Sequence, residues 1–410
     1  MNRPLLVGPF TQLLPMTDLP LKGALADEQL TIIENGGLII SNGKIQKVGL
    51  FEDLKSDNVD IHHIEGKTVC LPGFIDAHTH ICFGGSRAKD YALRNAGKSY
   101  LEIAKAGGGI WDTVTQTRKA TQEELIDGIL SRSNNHLQNG ITTIEVKSGY
   151  GLSVDEELKM LRAIKQAGEK SQVDLIPTCL AAHIKPKDWN QQVDYLEEIA
   201  STLFPILKSE NLAYRIDAFV EDSAFSEEEI VPYFQKAQEM GFDITVHADQ
   251  FTTGGSKIAV DFGAVSADHL EASTDKEIQL LAQSNTIAMA LPGASIGLGC
   301  DFTPARKLLD AGAALAIASD HNPGSAPMGN LLTQASILGT FEKLSNTEVL
   351  AGITFRAAAA LRLNNRGHLT ENTLADFIVF PTDNYQEITY HQGQLGPCEV
   401  WKNGEQVTSF

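Results

Sequence analysis

The chain has 410 residues, enough to bury a large core as one barrel with an accessory domain or as two domains. With 42% apolar and 21% charged residues, it has the composition of a soluble globular protein and not of a disordered one. A net charge of −19 argues against binding nucleic acid or an anionic membrane surface, but leaves room for a small anionic substrate.

Five scattered cysteines (Cys70, Cys82, Cys179, Cys300, Cys398) include no Cys-x-x-Cys pair, which suits a reducing compartment. Only Cys82, close to two histidines, is a functional candidate, and a small buried thiol fits there better. The N-terminus lacks a basic start, a long apolar core and a small-residue cleavage site. No apolar stretch approaches about 18 residues, so no membrane span is expected and the cytoplasm is the expected location.

Residues 30–50 read as strands joined by tight turns, with hairpin signals at Asn35-Gly36 and Asn42-Gly43. The far end repeats the pattern: 375–380 and 398–407 are strand-like, with Asn403-Gly404 between β-rich runs. The two termini are therefore expected to form one small β-sandwich domain, residues 1–69 plus 357–410, with 70–356 inserted between them. In that middle, buried strand-like runs fall near 70–79, 141–147, 173–182, 215–220, 243–248, 264–268, 286–291 and 314–319. Helical stretches lie between them at 121–137, 153–168, 189–207, 226–240 and 275–284. Several open on a capping residue followed by acids, at Thr121, Ser153, Ser226 and Ser273. The alternation predicts an α/β fold, a (β/α)8 TIM-type barrel with its site at the strand C-termini. A doubly wound open sheet is the second topology, because periodicity does not fix closure.

The run Pro72-Gly73-Phe74-Ile75-Asp76-Ala77-His78-Thr79-His80 carries the strongest chemical signal. On a strand His78 and His80 share a face and can hold one divalent metal. Alone, the pair reads more readily as solvated strand-end histidines. Strand counting adds company at the same mouth: His183 ends the third run, His247 the fifth with Gln250 just beyond, His269 the sixth and Asp320 the eighth. His321, next to Asp320, should face away, and His62, His63, His136, His368 and His391 read as surface or packing residues. Three histidines and a carboxylate suit zinc or iron with a position left for water, whose pKa the metal lowers toward neutrality.

In this order, His78-x-His80, His247, His269 and Asp320 within a barrel flanked by a split β domain resemble the amidohydrolase superfamily. One branch is similar over several further stretches: Phe83 to Arg87, Ser99 to Ile103 with Ala106 to Ile110, Glu145 to Leu152, Ala181 to His183, His247 to Gln250 and Ser319 to Ser325. That branch opens the ring of 4-imidazolone-5-propanoate with water, giving N-formimidoyl-L-glutamate in histidine degradation. The resemblance implies metal ligands at His78, His80, His247 and Asp320, holding one Zn2+ or Fe3+ per subunit. It further implies substrate contacts at Arg87, Tyr150, His183 and Gln250, product contacts at Asn322, Gly324 and Ser325, and His269 beside the scissile carbonyl. A homodimer is also implied.

An arginine at 87 matches a propionate, although on the residues alone a surface ion pair with Asp90 is the alternative. Tyr150, between glycines, is expected on a flexible loop, and packing is its alternative. Two departures sharpen the expectation. Strand four, Arg215 to Glu221, lacks the lysine that binuclear relatives carboxylate, which favours one metal; Lys147 ends strand two and should pair with a nearby acid. Gln250 stands where mononuclear deaminases place a proton-shuttling glutamate, and an amide cannot transfer protons at neutral pH. Proton handling then falls to Asp320 and His269. A mononuclear deaminase, another cyclic amidase and an inactive binding protein on the same barrel are the alternatives.

Overall fold

The computed structural model describes residues 3–98, 102, 107–189 and 194–409. Parts of two expected features, the stretch from Ser99 to Ala106 and the start of the 189–207 helix, lie outside the described residues.

Five strands come first: β1 (Leu5–Leu13), β2 (Ile33–Ser41), β3 (Lys44–Leu50), β4 (Asp60–His63) and β5 (Val69–Pro72). Eight more form the middle of the chain: β6 (Phe74–Asp76), β7 (Ile141–Lys147), β8 (Asp174–Ala182), β9 (Arg215–Val220), β10 (Asp243–Ala248), β11 (Ser266–His269), β12 (Ile287–Ala290) and β13 (Leu315–Ile317). Three close it: β14 (Phe377–Phe380), β15 (Glu399–Lys402) and β16 (Glu405–Ser409).

β6 to β13 pair in sequence order and every pairing is parallel. The ends meet just beyond β6 and β13: Asp320 N–H donates to His78 C=O at 3.0 Å, and His80 N–H donates to His321 C=O at 2.9 Å. The sheet therefore closes through the backbone of the residues expected to carry the chemistry, and the open-sheet topology is excluded. Helices cover the outside, many of them on caps legible in the sequence. Thr121 and Ser226 form reciprocal capping boxes with Glu124 and Glu229. Ser153 makes no side-chain cap, and the 275–283 helix is capped by Thr274.

The terminal β unit is one mixed sheet in the order β16-β15-β14-β5-β1-β2-β3, with β4 beside β1. Both chain ends contribute to its core, where Val7, Phe10, Leu38 and Ile40 meet Phe377, Val379 and Trp401. Phe377 stacks on Trp401 with centroids 5.1 Å apart and meets Phe10 edge-on. Asn42-Gly43 and Asn403-Gly404 are turns, as expected. Asn35-Gly36 is not: it lies inside β2, with Asn35 at φ +50°.

The run expected as one barrel strand at 70–79 is divided between the sheets. β5 pairs with β1 and β14, and β6 pairs with β7. Gly73 is the seam. Its N–H reaches Asp376 C=O at 3.0 Å, and a Cβ there would meet the Thr142 side chain at 2.5 Å. The terminal sheet thus grips the first barrel strand immediately upstream of its histidines. Among the described residues no helix is long and apolar enough to cross a membrane.

If Phe377 ties the two chain ends together, Phe377→Ala should cost about 3–5 kcal/mol, the range for emptying a buried aromatic site. Urea unfolding monitored by circular dichroism would measure it; a loss under about 1 kcal/mol would place the cohesion of that sheet elsewhere.

Candidate metal centre

Just past β6, His78 and His80 turn their rings into the barrel mouth, Nε2 to Nε2 at 3.2 Å. His247, on β10, brings its Nε2 to 3.3 Å from that of His80. Asp320, beyond β13, places Oδ1 3.6 Å from His78 Nε2 and 3.4 Å from His80 Nε2. Ligands about 2.0–2.1 Å from a tetrahedral zinc stand about 3.3 Å from one another. His78, His80 and Asp320 therefore stand at the spacing one metal ion needs, with His247 beside His80, and burial leaves few other partners for their lone pairs.

Carboxylates behind the rings orient two of the three. His78 Nδ1 is 2.7 Å from Asp268 Oδ2, and His247 Nδ1 is 3.0 Å from Asp217 Oδ2. The first is a hydrogen bond, and an Nδ1–H donated to a carboxylate leaves the Nε2 lone pair free for a metal; the second is a close charge contact without hydrogen-bond alignment. Burial keeps all three rings neutral: it pushes His78 well below the usual histidine range, His80 down to about 3 and, against the pull of Asp217, His247 down to about 4. It also raises Asp320 above the usual carboxylate range.

Lys147 sits beneath, fully buried, with Nζ 2.8 Å from both Asp217 and Glu145 and 3.7 Å from Asp268. Burial works against its charge, but these three acids prevail and raise its pKa. Asp217, His247 and Asp268 form another group with ligand atoms close enough to share an ion. The Lys147 ammonium already lies against both of its carboxylates.

His269 approaches from β11, its ring 5.3 Å from that of His247 and its Nδ1 3.4 Å from Glu271 Oε1. Burial works to strip its proton, yet Glu271, Asp320 and Asp268 outweigh burial and raise its pKa. Its backbone is unusual: His269 has φ +86°, Leu270 +72° and Asp320 +52°. Such conformations cost on the order of 1–3 kcal/mol each and gather at functional sites. At 269 the consequence is direct. Adjacent strand residues normally face opposite sides, but here Asp268 reaches His78 while His269 also turns to the mouth.

The expected substrate residues lie around this cluster. His183 stacks on His80 at 5.5 Å and its Nδ1 is 3.0 Å from Gly149 C=O. The Tyr150 ring lies 5.9 Å from His80 and 5.4 Å from His183. Its loop is pinned, contrary to the flexible one expected: the buried Glu157 carboxylate accepts the N–H groups of Gly149, Gly151 and Leu152 at 2.7–3.0 Å. Gly149 has φ +107°, and a Cβ there would meet Leu180 C=O at 2.9 Å.

Arg87 does pair with Asp90, but inside the protein and not on its surface, with Thr113 as a further partner at 3.2 Å. A side chain at Gly324 would begin 3.2 Å from the Arg87 guanidinium. Asn322 organises that loop: its Oδ1 accepts Gly324 N–H and Ser325 N–H, both at 2.8 Å, and its Nδ2 donates to Asp320 C=O and Ser325 Oγ. Gln250 is half-buried two residues beyond β10 and makes no hydrogen bond to the histidine cluster. Glu221, one residue past β9, holds the turn after β10 by accepting Phe251 N–H at 2.9 Å.

Three other expectations resolve here. His321 faces away from the histidine cluster, bonding His136 at 2.8 Å. His136 is therefore a buried partner rather than a surface group, 3.6 Å from Asp76. Cys82 is buried and its thiol is pushed up to about 12 by burial, so it is unreactive. Sequence reasoning missed Asp217 and Asp268. The available signal was a charged residue within an otherwise apolar buried strand, which demands a partner.

Comparison with known proteins gives a consistent picture. The amidohydrolase family model matches residues 69–407. The imidazolonepropionase of Acinetobacter baumannii (strain AB307-0294) is 41% identical over 384 residues, covering 93% of this chain and 94% of that protein. That of Bacillus mycoides (strain KBAB4) is 39% identical over 379 residues, covering 92% and 89%. Among solved structures, the triazine hydrolase of Arthobacter aurescens superposes with a TM-score of 0.75 at 16% identity, over 100% of this chain and 95% of that one. A zinc-bound adenosine deaminase from Xanthomonas campestris gives 0.70 at 18% identity, over 98% and 92%. At such identities the two structures speak to fold alone.

The depressed histidines make a pH prediction. In the metal-free protein, His80 and His247 stay neutral until about pH 3 and about pH 4, whereas an unfolded chain protonates them near 6.5. Their stabilising contribution is complete above the unfolded value and shrinks as pH falls, by roughly 1 kcal/mol per group per pH unit. Urea midpoints of the metal-free protein at about pH 7 and about pH 4.5 should differ more than those of a His80→Asn/His247→Asn variant. Equal differences would mean that these two rings do not titrate as described.

Proposed function

The chain belongs to the amidohydrolase family and, within it, to the imidazolonepropionases, and from that premise we propose how its own residues perform the hydrolysis. The reaction adds water across the ring amide C–N bond of 4-imidazolone-5-propanoate and yields N-formimidoyl-L-glutamate, a step of histidine degradation. The observation that carries the reading is the buried cluster in which His78, His80 and Asp320 lie 3.2–3.6 Å apart and His247 3.3 Å from His80, with His269 beside them.

His78, His80, His247 and Asp320 hold one metal ion per chain, zinc or iron. When bound, the metal supplies an acidified water and a Lewis acid for the carbonyl. Arg87 takes the substrate propionate, and the adjoining loop that Asn322 holds, with Gly324 and the Ser325 hydroxyl, receives the glutamate-like product. Tyr150 and His183 bracket the ring, and Gln250 offers it an amide that both donates and accepts. Asp320 accepts a proton from the attacking water, and that proton is available to the ring nitrogen as it leaves. His269, whose protonated form Glu271 favours, donates an N–H to the carbonyl oxygen as it becomes an oxyanion. Deamination is disfavoured, since Gln250 cannot carry a proton. We place this chemistry in the cytoplasm.

Purified protein should remove the absorbance of freshly made 4-imidazolone-5-propanoate, stop when a chelator strips its metal, and release no ammonia. His269→Ala should lower kcat by about 10²–10⁴-fold with metal content unchanged. Ammonia release would establish a deaminase instead, and metal loss in His269→Ala would reassign that residue as a ligand.

A further inference from the structure

We propose that Lys147 is a positioning residue for the metal centre: a fixed internal cation that aims two of the three histidine ligands through carboxylate oxygens it shares with them. The inference rests on the assignment of His78 and His247 as ligands.

The identity of the oxygen atoms carries the argument. Asp217 Oδ2 lies 2.8 Å from Lys147 Nζ and 3.0 Å from His247 Nδ1. Asp268 Oδ2 lies 3.7 Å from the same Nζ and 2.7 Å from His78 Nδ1. One ammonium thus locates both oxygens that locate the two rings. The contacts of this one ammonium span three strands, β7, β9 and β11, none of which carries the first pair of histidines.

The backbone of Lys147 acts on that pair as well. Its N–H donates to Thr79 C=O at 2.9 Å, between His78 and His80, and Thr79 Oγ1 donates to Glu145 C=O at 2.6 Å. Glu145 completes the ammonium's set at 2.8 Å and is itself braced by the Thr178 hydroxyl and by Arg215 at 3.7 Å. A lysine has no planar fork to satisfy, so its compact charge can be shared among three carboxylates converging from different strands.

If Lys147 only neutralised buried acids, its removal would lower stability and leave the metal affinity of the folded protein alone. A positioning residue predicts more, because supports of metal ligands typically contribute 10–100-fold to affinity.

The test is Zn2+ affinity of metal-free protein, measured by competition with a chromogenic chelator, alongside thermal unfolding. Lys147→Met should weaken Zn2+ binding by about 10–100-fold in protein that remains folded. Removing one member of a buried charge cluster is destabilising, so Glu145→Gln/Lys147→Met, which preserves net charge, is measured in parallel with the same expectation. Wild-type affinity in either folded variant overturns the proposal. Independently of how the variants fold, ¹⁵N NMR of the metal-free wild-type protein should find His78 and His247 as Nδ1–H tautomers; an Nε2–H tautomer at either overturns it too. None of these measurements uses substrate. A wild-type protein that binds Zn2+ but leaves imidazolonepropionate intact would therefore defeat the catalytic reading and not this one.

Discussion

Everything at the mouth of this barrel depends on holding three neutral imidazoles and a carboxylate together away from water, with His78, His80 and Asp320 within 3.2–3.6 Å of one another and His247 3.3 Å from His80. Lone pairs at that distance repel, and nothing in the rings themselves keeps them together. The restraint comes from beneath, where Asp268 and Asp217 grip the far nitrogens of His78 and His247. Those carboxylates are themselves buried charges, which need partners. Lys147 and, through Glu145, Arg215 supply the compensating cations. The usual branched aliphatic filling of a barrel interior is replaced at this level by an ionic layer, and it is the layer that faces the metal.

The terminal sheet belongs to the same design. β5 and β6 are almost continuous, so the sheet that joins both chain ends also anchors the peptide leading to His78. Closure of the barrel then uses the backbone of His78, His80, Asp320 and His321 themselves. Catalytic geometry and barrel closure are one set of hydrogen bonds. A change that loosens the end of β13 therefore displaces Asp320 relative to His78 and His80.

Much of this was legible because the relevant signals are local or periodic. The His-x-His pair announces itself, and the alternation of apolar runs with capped helices places His247, His269 and Asp320 at strand ends. What escaped the sequence was set by contacts or by backbone exceptions. Alternation allows only one of Asp268 and His269 to face inward; the positive φ at 269 brings both in. Gly73 divides a run that reads as one strand, because the close approach of Thr142 is invisible in one dimension. Tyr150 looks mobile between two glycines until Glu157, five to eight residues along, is seen to collect that loop's N–H groups. Arg87 and Asp90 read as a surface pair because spacing carries no information about burial. In each case the local pattern was right and the tertiary partner decided the outcome.

The central claim is that one metal ion sits among His78, His80, His247 and Asp320, with Lys147 holding the carboxylates behind it. Anomalous diffraction at the metal's absorption edge, from crystals of the metal-loaded protein, tests this most directly. The account predicts a single peak about 2.0–2.2 Å from the three Nε2 atoms and an Asp320 oxygen, with the Lys147 ammonium still on Asp217. A peak between Asp217 and Asp268 with Lys147 displaced, or two peaks in one barrel, would contradict it.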